Sequence, residues 1–211
     1  MQTEIRKQSK GFEMEKDEIV IQSIIDAAKK LMQQYGLSKT TMEDIAKAAG
    51  KGKSTLYHYF KSKDEIFDHV INQEMDDFFQ TVKTAVSKQV DASEMLKAYI
   101  ITKIKTLKTK VNLYRFAFET DLHPDAINDL FIKLKNRYDN EEKKLIGSIL
   151  KSGIDSKLYR AEIQDDIDIL SELLVTCVRG VETEIITHNK YKTLTDKADM
   201  LVNILTKGIG R

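Results

Sequence analysis

At 211 residues with 41% hydrophobic content the chain can bury a substantial core, and one Pro and nine Gly among many Lys, Glu, Ala, Leu and Ile favour long helices over short strands joined by turns. A single cysteine, Cys177, excludes an internal disulfide, and four scattered His offer no CxxC or HxxxH spacing, so neither a metal nor any other cofactor is expected. The charged start MQTEIRKQSKGFEMEKDE has no apolar signal-peptide core and no stretch approaches the ~20 apolar residues of a membrane span, which predicts a cytoplasmic protein with no membrane partner.

The formal net charge of +1 is unevenly divided, with 12 Lys/Arg against 8 Asp/Glu in residues 1–63 and 22 against 25 in residues 64–211. Residues 1–16 show no apolar period and read as a flexible arm. From Glu18, Ile24, Ala28, Leu31 and Tyr35 recur at helical spacing, and Gly36 follows as a left-handed stop. A second helix starts at Thr41, whose spacing to Asp44 is near that of a capping box, and carries the stripe Met42, Ile45, Ala46 and Ala49. Gly50 permits a sharp turn, and Lys53 to Phe60 forms a short third helix pinned by Leu56 and Phe60. Ser62 and Glu65 make a second capping box for a fourth helix that buries Ile66, Phe67, Val70, Phe78 and Phe79.

Beyond it, Leu96, Ile100, Ile104, Leu107 and Val111 mark one helix. Pro124 opens another, whose stripe includes Ile127, Leu130, Phe131, Leu134, Tyr138, Leu145 and Ile149 and which Gly153 is expected to end. After an irregular stretch through Arg160, Leu170, Leu173, Leu174, Cys177, Val178 and Val181 define a penultimate helix. Ala198 to about Leu205 forms a final one. The fold class expected is all-α, with an N-terminal three-helix domain over residues 17–63 and a helical C-terminal domain over 64–211.

Two short helices joined by a glycine turn are the geometry by which one helix braces on a DNA backbone while the next enters the major groove. Ala46 is small where the helices cross, Gly50 lies four residues on, and Leu56 anchors the second helix ten residues on. An ordinary helical hairpin shares this spacing. The third helix, however, exposes Lys53, Ser54, Thr55, Tyr57 and His58, all hydrogen-bonding side chains suited to phosphates and base edges. Lys39, Lys47, Lys51, Lys53, Lys61 and Lys63 face only Glu43 and Asp44, so positive charge gathers here. An enzymatic reading rests on Gly52-Lys53-Ser54, which mimics the end of a phosphate-binding loop, but position 47 is a helical Lys where that loop needs Gly. No other catalytic constellation appears, and no catalytic residue is expected.

The run Thr41-Met-Glu-Asp-Ile-Ala-Lys-Ala-Ala-Gly50, with Ser54-Thr-Leu-Tyr-His-Tyr-Phe60-Lys-Ser-Lys63-Asp-Glu-Ile66, resembles the DNA-binding signature of TetR-type (TetR/AcrR) transcriptional regulators over about residues 18 to 70. The resemblance implies a helix-turn-helix that binds double-stranded DNA and a helical C-terminal domain that binds a small-molecule effector and forms a homodimer. It implies repression at a palindromic operator, relieved by that effector. A DNA-binding protein without an effector, an activator or chromosome-organising factor, is the alternative. Matched residue by residue, Thr41, Lys53, Tyr57 and Lys63 fall where the family holds phosphates, and Ser54, Thr55 and His58 where it approaches bases. The chain departs from the family at Lys51 and Gly52, where a small apolar residue and a serine are common.

In the C-terminal domain, Tyr99, Tyr114, Phe118, His123, Phe131 and Arg179 are candidates to line an effector cavity, although aromatics at helical spacing also serve as plain core. Arg179 has Glu182 and Glu184 as nearby candidate partners. The final helix carries two apolar stripes, Ala198, Leu201, Val202 and Leu205 on one side and Met200 and Ile204 on another. Burial on two sides at a chain end, with Gly180 permitting close helix approach, suggests that the last two helices build a four-helix dimer interface; a central core helix is the other reading.

Overall fold

The computed structural model describes the backbone of residues 2–118, 124–191 and 193–209, and the side chains of 16–108 and 137–208 apart from 192, 195 and 198. Among the described residues the protein is all-α. The helices are α1 (Gln2–Tyr35), α2 (Met42–Ala48), α3 (Lys53–Tyr59), α4 (Lys63–Ser87), α5 (Ala92–Phe118), α6 (Pro124–Asp155), α7 (Ile167–His188) and α8 (Ala198–Ile209). Short 3-10 helices at Ala161–Asp166 and Leu194–Lys197 precede α7 and α8. Two compact units comprise residues 1–74 and 75–211, and the division falls inside α4 rather than at its start.

The N-terminal unit is built on α1, whose backbone is helical from Gln2. The arm expected through residue 16 is therefore part of the helix. That segment lacks proline and is rich in Lys, Glu and Gln, which favour helix even without an apolar stripe. Ile24, Ala28 and Met32, four residues apart, are fully buried, whereas the predicted stripe residue Tyr35 is 53% exposed in the last turn. Gly36 closes α1 at φ +88°, as expected, and its carbonyl accepts the hydroxyl of buried Thr40 at 2.7 Å. Ile45 and Ala46 of α2, Leu56 of α3, Phe60, and Ile66, Phe67, Val70 and Ile71 of α4 complete the core. Glu74 of α4, fully buried, pairs with Lys29 of α1.

In the C-terminal unit α5, α6 and α7 pack around Leu96, Ile100, Ile104, Ile146, Ile149, Leu150 and Val175, joined by Val82 and Val86 of α4 and Val202 of α8. Pro124 opens α6 as predicted, but Gly153 does not end it. The helix continues to Asp155, and the chain reverses at Lys157, φ +62°. Gly153 serves close approach instead: a Cβ there would lie 2.1 Å from the Tyr159 ring, and its carbonyl accepts the N–H groups of Leu158 and Tyr159, both at 2.9 Å.

Several apolar side chains of α7 and α8 stay exposed in the single chain, with Ile169 at 59%, Leu173 at 54%, Met200 at 52% and Ile204 at 63%. Cys177, one turn beyond Leu173, is exposed on α7, and nothing lies within 4 Å of a Cβ built at Gly180. The first predicted stripe of the last helix is only partly buried, since Leu201 is half-buried and Leu205 is exposed. Val202 is buried on one side, and Met200 and Ile204 are open on the other.

Candidate nucleic-acid interface

The brace helix α2 starts as its sequence requires. Thr41 caps it in extended backbone, its hydroxyl accepting the Asp44 N–H at 3.1 Å while the Asp44 carboxylate accepts the Thr41 N–H at 3.1 Å and its O–H at 2.6 Å. This reciprocal box satisfies two orphan donors of the first turn. The bonds from Thr41 also hold the Asp44 carboxyl below the usual carboxylate range. The turn is equally well determined. Gly50 adopts φ +65°, its N–H bonds the Lys47 carbonyl at 3.1 Å, and the Lys51 N–H bonds the Ala46 carbonyl at 2.9 Å, the paired bonds of a Schellman closure.

Helix α3 follows after Gly52, which occupies the N-cap at φ −71°, ψ 151° with no side chain to bond the first turn. Leu56, fully buried, and Phe60, nearly so, fix its inner face, and the Tyr59 hydroxyl ties it to α1 by donating to Asp17 at 2.5 Å. The outer face presents Lys53, Ser54, Tyr57 and His58, all exposed; Thr55 is half-buried. The His58 ring stands edge-on to Tyr59 at 4.9 Å. One helix thus gathers five of the seven predicted DNA contacts, four of them on its open side.

The remaining two flank it. Thr41 is exposed but has its hydroxyl proton committed to Asp44. Lys63, in the first turn of α4, is half-buried and donates to the Leu37 carbonyl at 2.8 Å, leaving two ammonium protons for another acceptor. In the second capping box the Glu65 N–H bonds Ser62 Oγ at 3.1 Å, while the Glu65 carboxylate reaches Lys61 N–H at 2.7 Å rather than that of Ser62.

Sequence reasoning missed one partner. Lys53 forms an ion pair with Glu43 of α2 and lies 5.9 Å from the centroid of the Tyr57 ring. The hydrogen bond from Lys53 holds Glu43 below the usual carboxylate range and, reciprocally, raises Lys53. Ten residues separate the two in sequence, and no periodicity links them; only the turn at Gly50 brings their helix starts together.

Residues 24–70 match the family model described as bacterial regulatory proteins, tetR family. Over these residues the chain carries a tetR-family DNA-binding domain. Its relatives agree over much greater lengths. The fatty acid metabolism regulator protein of Bacillus subtilis is 27% identical over 192 residues, 88% of this chain and 93% of that one. The transcriptional repressor KstR2 of Rhodococcus jostii is 26% identical over 144 residues, 68% of this chain and 70% of that one. Among solved structures, a transcriptional regulator from Cytophaga hutchinsonii aligns with a TM-score of 0.68 at 26% identity, covering 89% of this chain and 97% of its own. The protein is therefore a DNA-binding transcriptional regulator, and among its described residues no helix is long and apolar enough to cross a membrane.

In its C-terminal unit, Tyr114, Phe118, His123 and Phe131 lie outside the residues whose side chains are described. Tyr99 is fully buried, and Arg179 pairs with Asp139 of α6 rather than with either nearby glutamate of its own helix. Those glutamates are engaged elsewhere, Glu184 with Lys190 at 2.6 Å and Glu182 with Lys103 at 3.2 Å. Lys103 is buried on α5, 2.6 Å from Glu142 of α6 and 3.5 Å from the Tyr99 hydroxyl. Burial alone would depress this ammonium, but Glu182, Tyr99 and Glu142 outweigh it and its pKa is raised; burial also raises the Tyr99 phenol and the Glu182 carboxyl. The sequence signal for this cluster was a lysine at a core position, one turn from Tyr99 and from Leu107. Separately, a groove of about 520 Å³ between α4 and α6 is lined by Asp76, Phe79, Lys83, Arg137, Tyr138 and Glu141. Arg137 and the Tyr138 hydroxyl both bond Asp76, at 2.7 and 2.8 Å, and Lys83 pairs with Glu141 at 3.0 Å.

Proposed function

We propose that the protein is a homodimeric repressor that each subunit anchors by placing α3 in a major groove of a palindromic operator, and that a small-molecule effector bound in the C-terminal unit releases it. The observation that carries the DNA half is the outer face of α3: Lys53, Ser54, Tyr57 and His58 stand exposed on a seven-residue helix whose inner face is locked by Leu56. Donors of this kind supply phosphate grip and base reading together. Lys63 grips the backbone with its two remaining ammonium protons, Thr41 does so only by giving up its hydroxyl bond to Asp44, and Thr55 supports the reading face.

Dimerisation is supported by the open apolar side chains of α7 and α8. Ile169, Leu173, Met200 and Ile204 would be costly to leave in water, and two copies of a helix pair form a four-helix interface by two-fold symmetry. The effector half is supported by the relatives' names, one a repressor and another a regulator of fatty acid metabolism, so ligands from fatty acid metabolism are the first class to test. Tyr99 and Arg179, with Tyr114, Phe118, His123 and Phe131, remain the candidate lining. Helix α4 belongs to both units and is the continuous segment through which an effector would shift α3.

Selection from a random pool of DNA duplexes tests the reading. The expected product is an inverted repeat with half-sites roughly 34–36 Å apart or a multiple of that, bound less tightly as salt rises. Recovery of no enriched sequence would overturn it.

A further inference from the structure

The ion pair between Glu43 and Lys53 has no evident structural task. Thr41 and Asp44 already cap α2, both members of the pair are more than half exposed, and an exposed pair contributes little to stability. Its position is unusual for a carboxylate. Glu43 lies in the first turn of the brace helix and Lys53 opens the reading helix, so the pair bridges the two helix starts that a helix-turn-helix turns toward DNA. A negative charge there opposes phosphate and cancels the lysine nearest the reading face.

Resting on the DNA-binding reading above, we propose that Glu43 is a specificity-determining residue: it holds Lys53 back from arbitrary DNA and yields it where the major groove offers the Glu43 carboxylate the exocyclic amino group of a cytosine. Carboxylates accept from cytosine N4, while lysine donates to guanine O6 and N7, so the separated pair finds a base donor and a base acceptor side by side at a C·G-containing step. At guanine and thymine Glu43 meets acceptors, and at adenine a donor flanked by the N7 acceptor that repels a carboxylate, so there Lys53 stays with it beside the Tyr57 ring. Nearby Asp44 is less suited to this part, because the N–H and the hydroxyl of Thr41 hold one of its carboxylate oxygens in the α2 cap.

The test uses the full-length protein, the duplex that wild type selects, and a random duplex of equal length. Glu43→Gln keeps the side chain's reach, removes the charge and substitutes the chemistry that pairs with adenine. The expected result is tighter binding to the random duplex, a fall of about tenfold in the ratio of selected to random affinity, and a second selection in which one half-site position moves from cytosine toward adenine. An unchanged melting temperature verifies that the fold is intact. Lys53→Gln, which leaves Glu43 unopposed and removes the contact that Lys53 makes at the selected site, should weaken binding to both duplexes and to the selected one more. If Glu43→Gln raises both affinities by one factor, or changes neither, Glu43 is only a surface charge and the proposal fails while DNA binding stands. If wild type selects no sequence, the DNA-binding reading itself fails, and this proposal with it.

Discussion

At the scale of single residues, the exposed side of α3 and the start of α4 separate into groups with distinct consequences. Lys63→Ala or Tyr57→Phe removes a donor to phosphate, so binding should weaken about equally on every sequence and the salt slope should shrink by about one for the lysine. His58→Ala and Ser54→Ala should instead alter which sequences are preferred. Gel-shift titrations over a panel of operator variants separate the outcomes, and four variants that all bind like wild type would show that α3 is not the reading helix. Ser54, Tyr57 and His58 were legible because they sit in a short helix whose inner anchors, Leu56 and Phe60, fix the facing of the rest. Glu43 and Lys53 were not legible as a pair. Their meeting depends on the tertiary path around Gly50, which lies outside any local period. Lys103 gave half a signal: a charge at a core position announces that partners exist, but not that they are Glu142 and Glu182.

At the scale of elements, termini were read well where a side chain or a backbone sign enforces them. Thr41 and Asp44 close the α2 start, Gly36 ends α1 and Gly50 shapes the turn. Gly153 was misread because a glycine has two uses, and the ring of Tyr159, not a left-handed φ, demands this one. The start of α1 was read as an arm because no apolar stripe marks it, whereas its Lys, Glu and Gln favour helix by propensity alone. The weak terminus is that of α3, where Gly52 caps without a side chain. Its φ of −71° suits any residue, and a Cβ would sit 3.8 Å from Thr55 Oγ1 and 3.9 Å from Ser54 Oγ, ordinary contacts. Gly52→Ser should therefore stabilise the protein by a few tenths of a kcal/mol and strengthen DNA binding through an added hydroxyl. Thermal melting and a gel shift read the two effects; a lower melting temperature would show that the glycine is needed for the turn.

At the scale of the whole molecule, the buried cluster ties three helices of the C-terminal unit together through charge. Lys103 on α5 meets Glu142 on α6 and Glu182 on α7, and a second rung, Arg179 with Asp139, joins α6 to α7 beside it. Burial raises the Glu182 carboxyl above its ordinary value of 4.5, so the folded protein keeps this proton at pH values where the unfolded chain has lost it. Its contribution is complete below 4.5 and declines as pH rises through the raised value. Glu182→Gln should thus flatten the dependence of melting temperature on pH above 4.5 relative to wild type; identical profiles would show that Glu182 ionises as it does in the unfolded chain. Removing Lys103 instead would strand two carboxylates, a loss of about 3–5 kcal/mol for breaking a buried pair. The open faces of α7 and α8 have a different consequence. Cys177 stands on α7 one turn beyond Leu173 and is the chain's sole thiol. If self-association covers that face, the thiol is a built-in reporter. Its rate of reaction with a maleimide should fall as protein concentration rises, tracing the monomer–dimer equilibrium without any engineered label, and a rate independent of concentration would place the subunit contact elsewhere.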